Sequence, residues 1–346
     1  MHTLLPRAHA RTDQEITQTL RDAGIVGAGG AGFPTYVKYA KATPILMVNG
    51  AESEPGYYCD KLLFQERARE FARLFVFLKD IEAYERIIVG VEEAARPYMR
   101  LLERLADSTD AFEVQYFENV YKYGQEKALI KRLLGVDVPQ KAIPPDVGVT
   151  VNNNETLWNV YRAIFENKPV TTKFLVVFGE TPTHLALEAP LGALATDLAA
   201  LAGLAEPDPS LLLYDGGPVL CEEVPSWSTE PYGIAKTTNG LLFVAQDKKK
   251  ARPKSYPKAD GPRPPMRIEN VERFIRRVRI PLGGRFGEPA KPIVDPGDMV
   301  AVNDVVAQAV KGKLSVPVHA SIHGRVTSVT PNHVEITAPD PEVWWL

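Results

Sequence analysis

The sequence predicts an α/β protein: an N-terminal α/β domain with a mostly parallel sheet, a small mixed module and an all-β C-terminal module. Three observations predict it. Short apolar runs alternate with amphipathic runs up to about residue 170, the pattern changes from Lys173, and turn residues divide the chain after residue 270 into brief alternating runs.

The first element is a helix that precedes a glycine cluster. Thr12 and Glu15 have the spacing of a capping box, and Ile16 and Leu20 lie four residues apart on one helical face. Gly24 provides a C-terminal stop. We therefore expect the glycine-rich segment to follow a helix.

Four strand–helix pairs then follow, each an apolar run and an amphipathic run. The predicted pairs are 45–49 with 61–81, 86–91 with 92–106, 112–117 with 125–134, and 147–152 with 155–166. Parallel strands need such crossover helices, so this alternation favours a mostly parallel sheet.

The remaining chain changes character twice. Residues 174–178, 211–214 and 240–244 are short apolar runs around a predicted helix at 194–201, which indicates a small mixed module. Residues 248–267 carry eight Lys or Arg and five Pro, a composition typical of a linker. Beyond it, runs such as 300–306 and 325–329 predict a small barrel or sandwich.

Composition narrows the function classes. The 346 residues include 40 basic and 43 acidic side chains, a net charge of −3, which gives no electrostatic reason to expect nucleic acid as a partner. The chain has two cysteines, no signal-peptide pattern at Met1, and no apolar run near the ~20 residues that span a bilayer. We expect a cytoplasmic protein with no membrane span of its own.

Residues 27–32 read GAGGAG and match the spacing of a dinucleotide-binding fingerprint, with Glu52 downstream. The context differs, because a helix leads in and Phe33 and Pro34 follow directly. The loop can bring backbone N–H groups to a phosphate, and Pro34 suits the first turn of a following helix. A structural turn between packed elements is the alternative for this loop alone.

Three further segments carry a family resemblance. They are residues 48–56 (VNGAESEPG), 121–127 (YKYGQEK) and 151–156 (VNNNET). With the glycine loop, in this order and approximate spacing, they resemble the FMN-binding domain of the flavin subunit of respiratory complex I and of the C subunit of the Rnf complex. The resemblance implies bound FMN and redox activity.

The resemblance extends along the chain. Residues 214–218 and 236–240 are similar to a soluble ligand-binding β-grasp domain, and residues 288–324 are similar to the barrel-sandwich domain found at the N-terminus of the Rnf C subunit. Its position at the C-terminus is similar to the domain order of cobalamin reductases of propanediol-utilisation microcompartments. Their iron–sulfur cysteine cassettes are replaced here by the basic linker, so we expect no iron–sulfur cluster.

The predicted domains follow from these resemblances. They are an FMN-binding domain at 1–170, a β-grasp domain at 171–247, a basic Pro-rich linker at 248–270 and a barrel-sandwich domain at 271–346.

The resemblance also implies site residues, taken position by position. Cofactor binding is expected from Gly27, Gly29, Gly30, Lys38, Asn49, Glu52, Ser53, Tyr121, Gly124, Asn152, Asn153 and Thr156. The two asparagines and the threonine are expected at the phosphate end, although helix capping is an alternative for each of them. The reaction chemistry would be that of FMN, so no catalytic side chain is expected.

A nicotinamide nucleotide, with NADH as the expected co-substrate, would contact Phe33, Glu54 and Glu126, with Tyr121 beside them. Two departures from the complex I pattern weaken this expectation relative to FMN. Ala28 replaces an arginine and Gln125 replaces a glutamate.

No metal site is expected. Two cysteines cannot supply four thiolates, and Cys59 is interpreted as a packed, reduced thiol. His319 and His323 are four residues apart in a predicted strand or turn, where that spacing does not place both on one face.

Two functions from different classes follow. The first is an FMN-dependent NAD(P)H oxidoreductase that passes electrons to a docked redox protein or complex, or to a corrinoid or quinone-type acceptor. The alternative is a non-catalytic adaptor of a redox complex that keeps the fold. The expected location is the cytoplasm, at the periphery of a membrane complex or in a microcompartment, and the sequence leaves homo-oligomerisation open.

Overall fold

A computed structural model describes residues 13–81, 83–246 and 262–339. Thr12 of the predicted capping box and most of the predicted linker lie outside the described residues. Among the described residues, no helix is both long and apolar enough to cross a membrane.

The first module is a parallel sheet covered by helices. Its strands are β1 (Ile45–Asn49), β2 (Arg86–Glu92), β3 (Glu113–Phe117) and β4 (Val149–Asn153), in the order β3-β2-β1-β4. Its helices are α1 (Asp13–Asp22), α2 (Thr35–Tyr39), α3 (Cys59–Glu66), α4 (Ala68–Asp80), α5 (Arg96–Thr109), α6 (Glu126–Leu134) and α7 (Asn154–Phe165). Every strand pair in this sheet is parallel, which confirms the predicted fold class.

Two local predictions for this module need correction. The helix predicted at 61–81 is two helices, because the chain turns at Arg67, whose N–H closes α3 on the Leu63 carbonyl. Phe64 and Phe71 pack at 5.1 Å between ring centroids across this turn. Pro34 lies before α2 in an extended conformation, and α2 has only five residues.

The second module is a six-stranded mixed sheet with one helix, α8 (Ala195–Leu201). Its strands are β5 (Thr172–Gly179), β6 (Leu185–Pro190), β7 (Leu211–Gly216), β8 (Cys221–Val224), β9 (Gly240–Ala245) and β10 (Ile268–Asn270). Strand β10 pairs with β6, so the last three residues of the predicted linker form the edge of this sheet.

The third module contains two small antiparallel sheets. Its strands are β11 (Arg277–Pro281), β12 (Lys291–Pro292), β13 (Met299–Val300), β14 (Val305–Gln308), β15 (Val318–His319), β16 (Gly324–Val329) and β17 (His333–Thr337). Single turns of 3-10 helix occur elsewhere in the chain at Glu93–Ala95, Tyr121–Gly124, Pro144–Val147 and Glu272–Phe274.

One hydrophobic core connects all three modules. Buried side chains from Ile16 in α1, Phe174 in β5 and Ile336 in β17 belong to the same cluster. A smaller cluster, which includes Met47 and Leu129, lies between the first sheet and α6. The continuous core holds the three modules in fixed positions around the first sheet.

Candidate flavin site

The candidate site lies at the carboxyl end of the first sheet, between β1 and β4. The chain leaves β1 toward β2 and β3 on one side and returns to β4 on the other, so a crevice opens between β1 and β4. Ligands of open parallel sheets bind at such a switch point. Asn49 and Asn153 are register partners at the ends of these strands, which places both predicted residues at the crevice.

The glycine loop, residues 27–32, is a tight closed turn. The Gly27 N–H donates to the Phe33 carbonyl at 2.8 Å, and the Gly32 N–H donates to the Gly27 carbonyl at 3.0 Å. These two bonds fix the base of the loop and leave its tip at the crevice.

The tip of the loop presents unpaired donors. The Ala28 N–H donates to Thr156 Oγ1 at 2.9 Å, which ties the loop to the first turn of α7. Within the described part of the chain, the N–H groups of Gly29, Gly30 and Ala31 donate no hydrogen bond. Adjacent unpaired backbone donors of this kind are suited to an anion.

The loop needs glycine for more than one reason. Gly30 has φ 105° and Gly32 has φ 72°, in the left-handed region that favours glycine. Gly29 has no such φ. A Cβ at Gly29 would instead lie 3.4 Å from the Cβ of Asn153, so Gly29 allows close approach between the loop and the start of α7.

Asp60 accepts hydrogen bonds from two residues that line the crevice. The sequence analysis did not identify this residue. Its Oδ2 accepts from the Ser53 N–H at 3.0 Å and from Ser53 Oγ at 2.9 Å, while its Oδ1 accepts from Asn153 Nδ2 at 2.9 Å. Its backbone carbonyl accepts from Asn154 Nδ2 at 2.6 Å. Asp60 is 1% exposed, and burial raises the pKa of its carboxyl group. One carboxylate thus joins two of the predicted motifs.

The start of α7 is capped in the way that the sequence left open. Asn153 Oδ1 accepts from the Glu155 N–H at 2.9 Å, as an N-cap side chain does. Asn153 therefore caps α7 and also lies beside the glycine loop. Asn152 points to the opposite face of β4, where its Nδ2 donates to the Tyr39 hydroxyl at 3.2 Å.

Glu52 lies beside the same crevice, and its side chain is 14% exposed. Its Oε1 lies 3.3 Å from Lys61 Nζ and accepts from the Lys61 N–H, whereas its Oε2 is buried and has no partner among the described residues. Burial raises the pKa of Glu52 to about 8, against the opposing effect of Lys61. Glu52 is thus able to carry a proton near neutral pH.

A second buried acid joins the first two modules. Glu155 pairs with Lys173, and its Oε1 accepts from the Phe174 N–H at 3.1 Å. Burial raises the pKa of Glu155 to about 7. Sequence reasoning missed this pair, whose only signal is an acid in the first turn of α7 and a lysine at the start of an apolar strand.

Lys38 and Glu126 form an ion pair at the rim of the crevice. Lys38 Nζ lies 2.9 Å from Glu126 Oε1 and donates to the Val151 carbonyl at 2.7 Å. The Glu126 side chain is 41% exposed. Two residues predicted to contact different ligands are therefore partners of each other.

Asn49 makes its bonds within the protein. Its Nδ2 donates to the Gly124 carbonyl at 2.8 Å, and its Oδ1 accepts from the Ala51 N–H at 3.2 Å. The contact between Asn49 and Gly124 brings two predicted motifs together at the end of β1.

Glu54 is held by a hairpin of the second module. Its carboxylate accepts from the Tyr121 hydroxyl at 2.9 Å, from the Val219 N–H at 2.8 Å and from the Leu220 N–H at 3.1 Å. Burial raises the pKa of Glu54. Gly217 allows this approach, because a Cβ there would lie 2.4 Å from the Cβ of Glu54. No sequence signal indicated that a distant hairpin covers this carboxylate.

Two further expectations concern Phe33 and the cysteines. The Phe33 ring meets Phe286 of the third module edge to face, with 6.2 Å between centroids. Cys59 is a buried free thiol that donates to the Leu175 carbonyl at 3.5 Å. Across residues 13–81, 83–246 and 262–339, no group of three or more His, Cys, Asp or Glu is arranged to hold a metal ion.

The fold and the crevice define a flavin-binding domain of the complex I type, and comparison with protein families agrees. Residues 20–162 match the Nuo51 FMN-binding domain, and residues 266–342 match the RnfC barrel sandwich hybrid domain. The chain thus combines a match to this FMN-binding domain with a match to the Rnf-type barrel-sandwich domain, which here lies on the C-terminal side of the first match. This confirms the resemblance recognised from the sequence.

Two curated proteins are similar to this chain in sequence. The cobalamin reductase PduS of Salmonella typhimurium is 33% identical over 244 residues, which cover 70% of this chain and 51% of that protein. The C subunit of the ion-translocating oxidoreductase complex of Pseudomonas aeruginosa is 34% identical over 245 residues, which cover 68% of this chain and 31% of that protein. The chain thus spans about half of the first relative and a third of the second.

A solved structure supports the fold. A chain of the NAD+-reducing [NiFe]-hydrogenase, in the H2-reduced state, superposes with a TM-score of 0.57 at 20% identity, over 70% of this chain and 48% of that one. At this identity the likeness concerns architecture alone.

Proposed function

We propose that this chain is an FMN-dependent electron-transfer flavoprotein. One observation carries the proposal: three unpaired N–H groups of the glycine loop lie beside the capped start of α7, at the switch point of a parallel sheet. Donors so placed are suited to the phosphate of a mononucleotide.

The residues present fit FMN. The phosphate would take its hydrogen bonds from the N–H groups of Gly29, Gly30 and Ala31, beside the start of α7. The buried, partnerless Oε2 of Glu52 and the hydroxyl of Ser53 supply polar groups for the ring or the ribityl chain. FMN would supply the redox chemistry, while the chain binds and orients it.

The nicotinamide part of the proposal requires rearrangement at the rim. Glu126 is paired with Lys38, and the carboxylate of Glu54 already accepts three hydrogen bonds. NADH would have to displace these partners, which would weaken its binding. FMN would not have to break these bonds. We therefore propose FMN as the resident cofactor and NADH as a weaker co-substrate.

The acceptor is proposed to be a docked redox protein or complex, or a corrinoid or quinone-type compound. The names of the relatives, a cobalamin reductase and a subunit of an ion-translocating oxidoreductase, support this range. A cytoplasmic location, at a membrane complex or in a microcompartment, belongs to the same proposal.

A non-catalytic adaptor is the second candidate, and the hairpin over Glu54 favours it. Anaerobic titration of the purified protein with NADH and then NADPH separates the two. Bleaching of the flavin absorption by either nucleotide, without any partner, supports the oxidoreductase. A flavin that neither nucleotide bleaches, but dithionite does, contradicts NAD(P)H oxidation and leaves a partner-reduced flavoprotein or the adaptor.

A further inference from the structure

The glycine loop has a second wall that comes from the second module. Lys236 Nζ donates to the Gly24 carbonyl at 2.7 Å, just before the loop. A Cβ at Gly32 would lie 2.9 Å from the Thr237 methyl group, and a Cβ at Gly30 would lie 3.5 Å from Asn239 Nδ2. Residues 236–239 therefore run along the face of the loop.

Within this segment, Asn239 has an unpaired side chain. It is 7% exposed, and its Oδ1 is buried without a partner among residues 13–81, 83–246 and 262–339. Its Nδ2 donates to no residue in the described part of the chain. The group that faces the loop is therefore a side-chain N–H donor, the kind of group that an anion beside Gly30 would accept from.

The backbone around Asn239 is held firmly, so this amide is not loosely placed. The Asn239 carbonyl accepts from the Val176 N–H at 3.1 Å, inside the sheet. Next to it, the Thr238 hydroxyl donates to Asp215 Oδ2 at 2.6 Å and accepts from the Ala235 N–H at 3.0 Å. The Asn239 side chain thus faces the glycine loop from a well-held position directly before β9.

We propose that Asn239 binds the phosphate of FMN by donating its amide, together with the N–H groups of Gly29, Gly30 and Ala31. The inference rests on the proposed function and deepens it, because the flavin site then needs the second module as well as the first. The four groups named here are uncharged hydrogen-bond donors, which suit a phosphate dianion.

Flavin titrations of the apoprotein test this assignment, because riboflavin lacks only the phosphate. For Asn239→Asp, which keeps the shape and replaces the donor with a negative charge, we expect the Kd for FMN to rise at least roughly tenfold. The Kd for riboflavin should change by less than about threefold, because riboflavin has no phosphate that could lose this hydrogen bond or be repelled by the new charge. Fluorescence quenching reports both constants.

Two further variants keep the test decisive. Asn239→Ala removes the donor without adding charge, and we expect a smaller loss of FMN affinity with riboflavin again unaffected. Asn332→Asp makes the same chemical change at an exposed turn of the third module and should leave both constants unchanged. Melting temperatures check that each variant folds.

Equal losses for FMN and riboflavin would overturn the phosphate assignment, as would unchanged FMN binding in both Asn239 variants. Failure of the wild-type apoprotein to bind either flavin would instead overturn the proposed function itself. If Asn239→Asp does not fold, the FMN-to-riboflavin ratio of Asn239→Ala decides.

Discussion

The inner and outer parts of the crevice differ in how their polar groups are used. In the inner part, which we call the cradle, Asp60 fixes Ser53 and Asn153 from behind, and the loop N–H groups in front are left unpaired. In the outer part, which we call the entrance, Lys38 pairs with Glu126. Glu54 is likewise occupied by protein donors at the entrance.

The difference indicates that FMN and a nucleotide face different costs. A site whose donors are already in place and unpaired loses little free energy to rearrangement when its ligand binds. A site whose carboxylates already have protein partners must first break those hydrogen bonds. The cradle is therefore prepared for a resident cofactor. The entrance is suited to a transient ligand.

Removing the support of the cradle should have the largest effect. Asp60→Ala leaves the partly buried donors of Ser53 and Asn153 unpaired, so we expect FMN affinity to fall at least roughly a hundredfold and the unfolding free energy to fall by about 3 kcal/mol. Titration with FMN and urea unfolding measure the two. Asp137→Ala removes an acid from an exposed pair with Lys131 and should change neither by more than about 1 kcal/mol. FMN occupancy as in wild type would contradict the role of Asp60.

Filling the space in front of the cradle should be nearly as damaging to binding and milder for folding. Gly29→Val puts a branched side chain against Asn153, only 3.4 Å away at its Cβ, and covers the unpaired N–H groups. We expect loss of FMN from the purified protein, with a melting temperature close to that of wild type.

Gly284→Val is the matched control for this change, since a Cβ at Gly284 has no atom within 4 Å. It should retain the flavin. If Gly29→Val folds and retains FMN at wild-type occupancy, the glycine loop does not hold the phosphate.

At the entrance, Glu126→Gln should separate nucleotide use from FMN binding. The change preserves shape and removes the charged acceptor that Glu126 would offer to the nucleotide, so FMN should stay bound while reduction by NADH slows roughly ten- to a hundredfold. Stopped-flow absorption under anaerobic conditions follows the bleaching. Glu93→Gln, at an exposed pair with Arg96, should bleach at the wild-type rate. Unchanged kinetics in Glu126→Gln would remove this residue from the nucleotide site.

The smallest expected effect concerns Glu52 and pH. Its pKa is raised from 4.5 to about 8, so between these values the folded chain holds a proton that the unfolded chain releases. The stabilisation linked to this proton is fully present below about pH 4.5 and is lost as pH rises toward about 8.

Glu52→Gln keeps the side chain neutral at every pH. The variant should therefore gain on the order of 1–3 kcal/mol of unfolding free energy relative to wild type between about pH 5 and 8, measured by urea unfolding of flavin-free protein. The other buried acids titrate in both proteins, so the difference isolates Glu52. A difference that does not vary with pH would show that Glu52 ionises normally.

Local sequence pattern was sufficient for most of the first sheet. The strand predicted at 45–49 is β1, and the helix predicted at 125–134 begins one residue later as α6. In both cases the spacing of the apolar residues reflects burial against the adjacent strands and helices. The alternation of strands and helices in the sequence already implies these neighbours. The break at Arg67 was missed because no glycine or proline marks it, and tertiary packing alone divides α3 from α4.

The contacts of the site were less accessible to sequence reasoning. Asp60 is one of two acids in α3, and its role depends on Asn153, which is far away in the chain. The same holds for Glu54 with the Val219 N–H and for Asn239 beside Gly30, since each joins residues that only the packed modules bring together. The order of the motifs indicated where the ligand would lie. It did not indicate which side chains hold the site residues in place.

The cofactor content of the purified protein tests the account most directly. Protein from cells grown with enough riboflavin should show an oxidised-flavin spectrum, and the flavin released by denaturation should have the mass of FMN at about one per chain, because the cradle ends in a phosphate site. Two cysteines supply no four-thiolate ligand set, so stoichiometric iron is not expected. Released FAD, or protein without flavin that also fails to bind added FMN, would contradict the central claim.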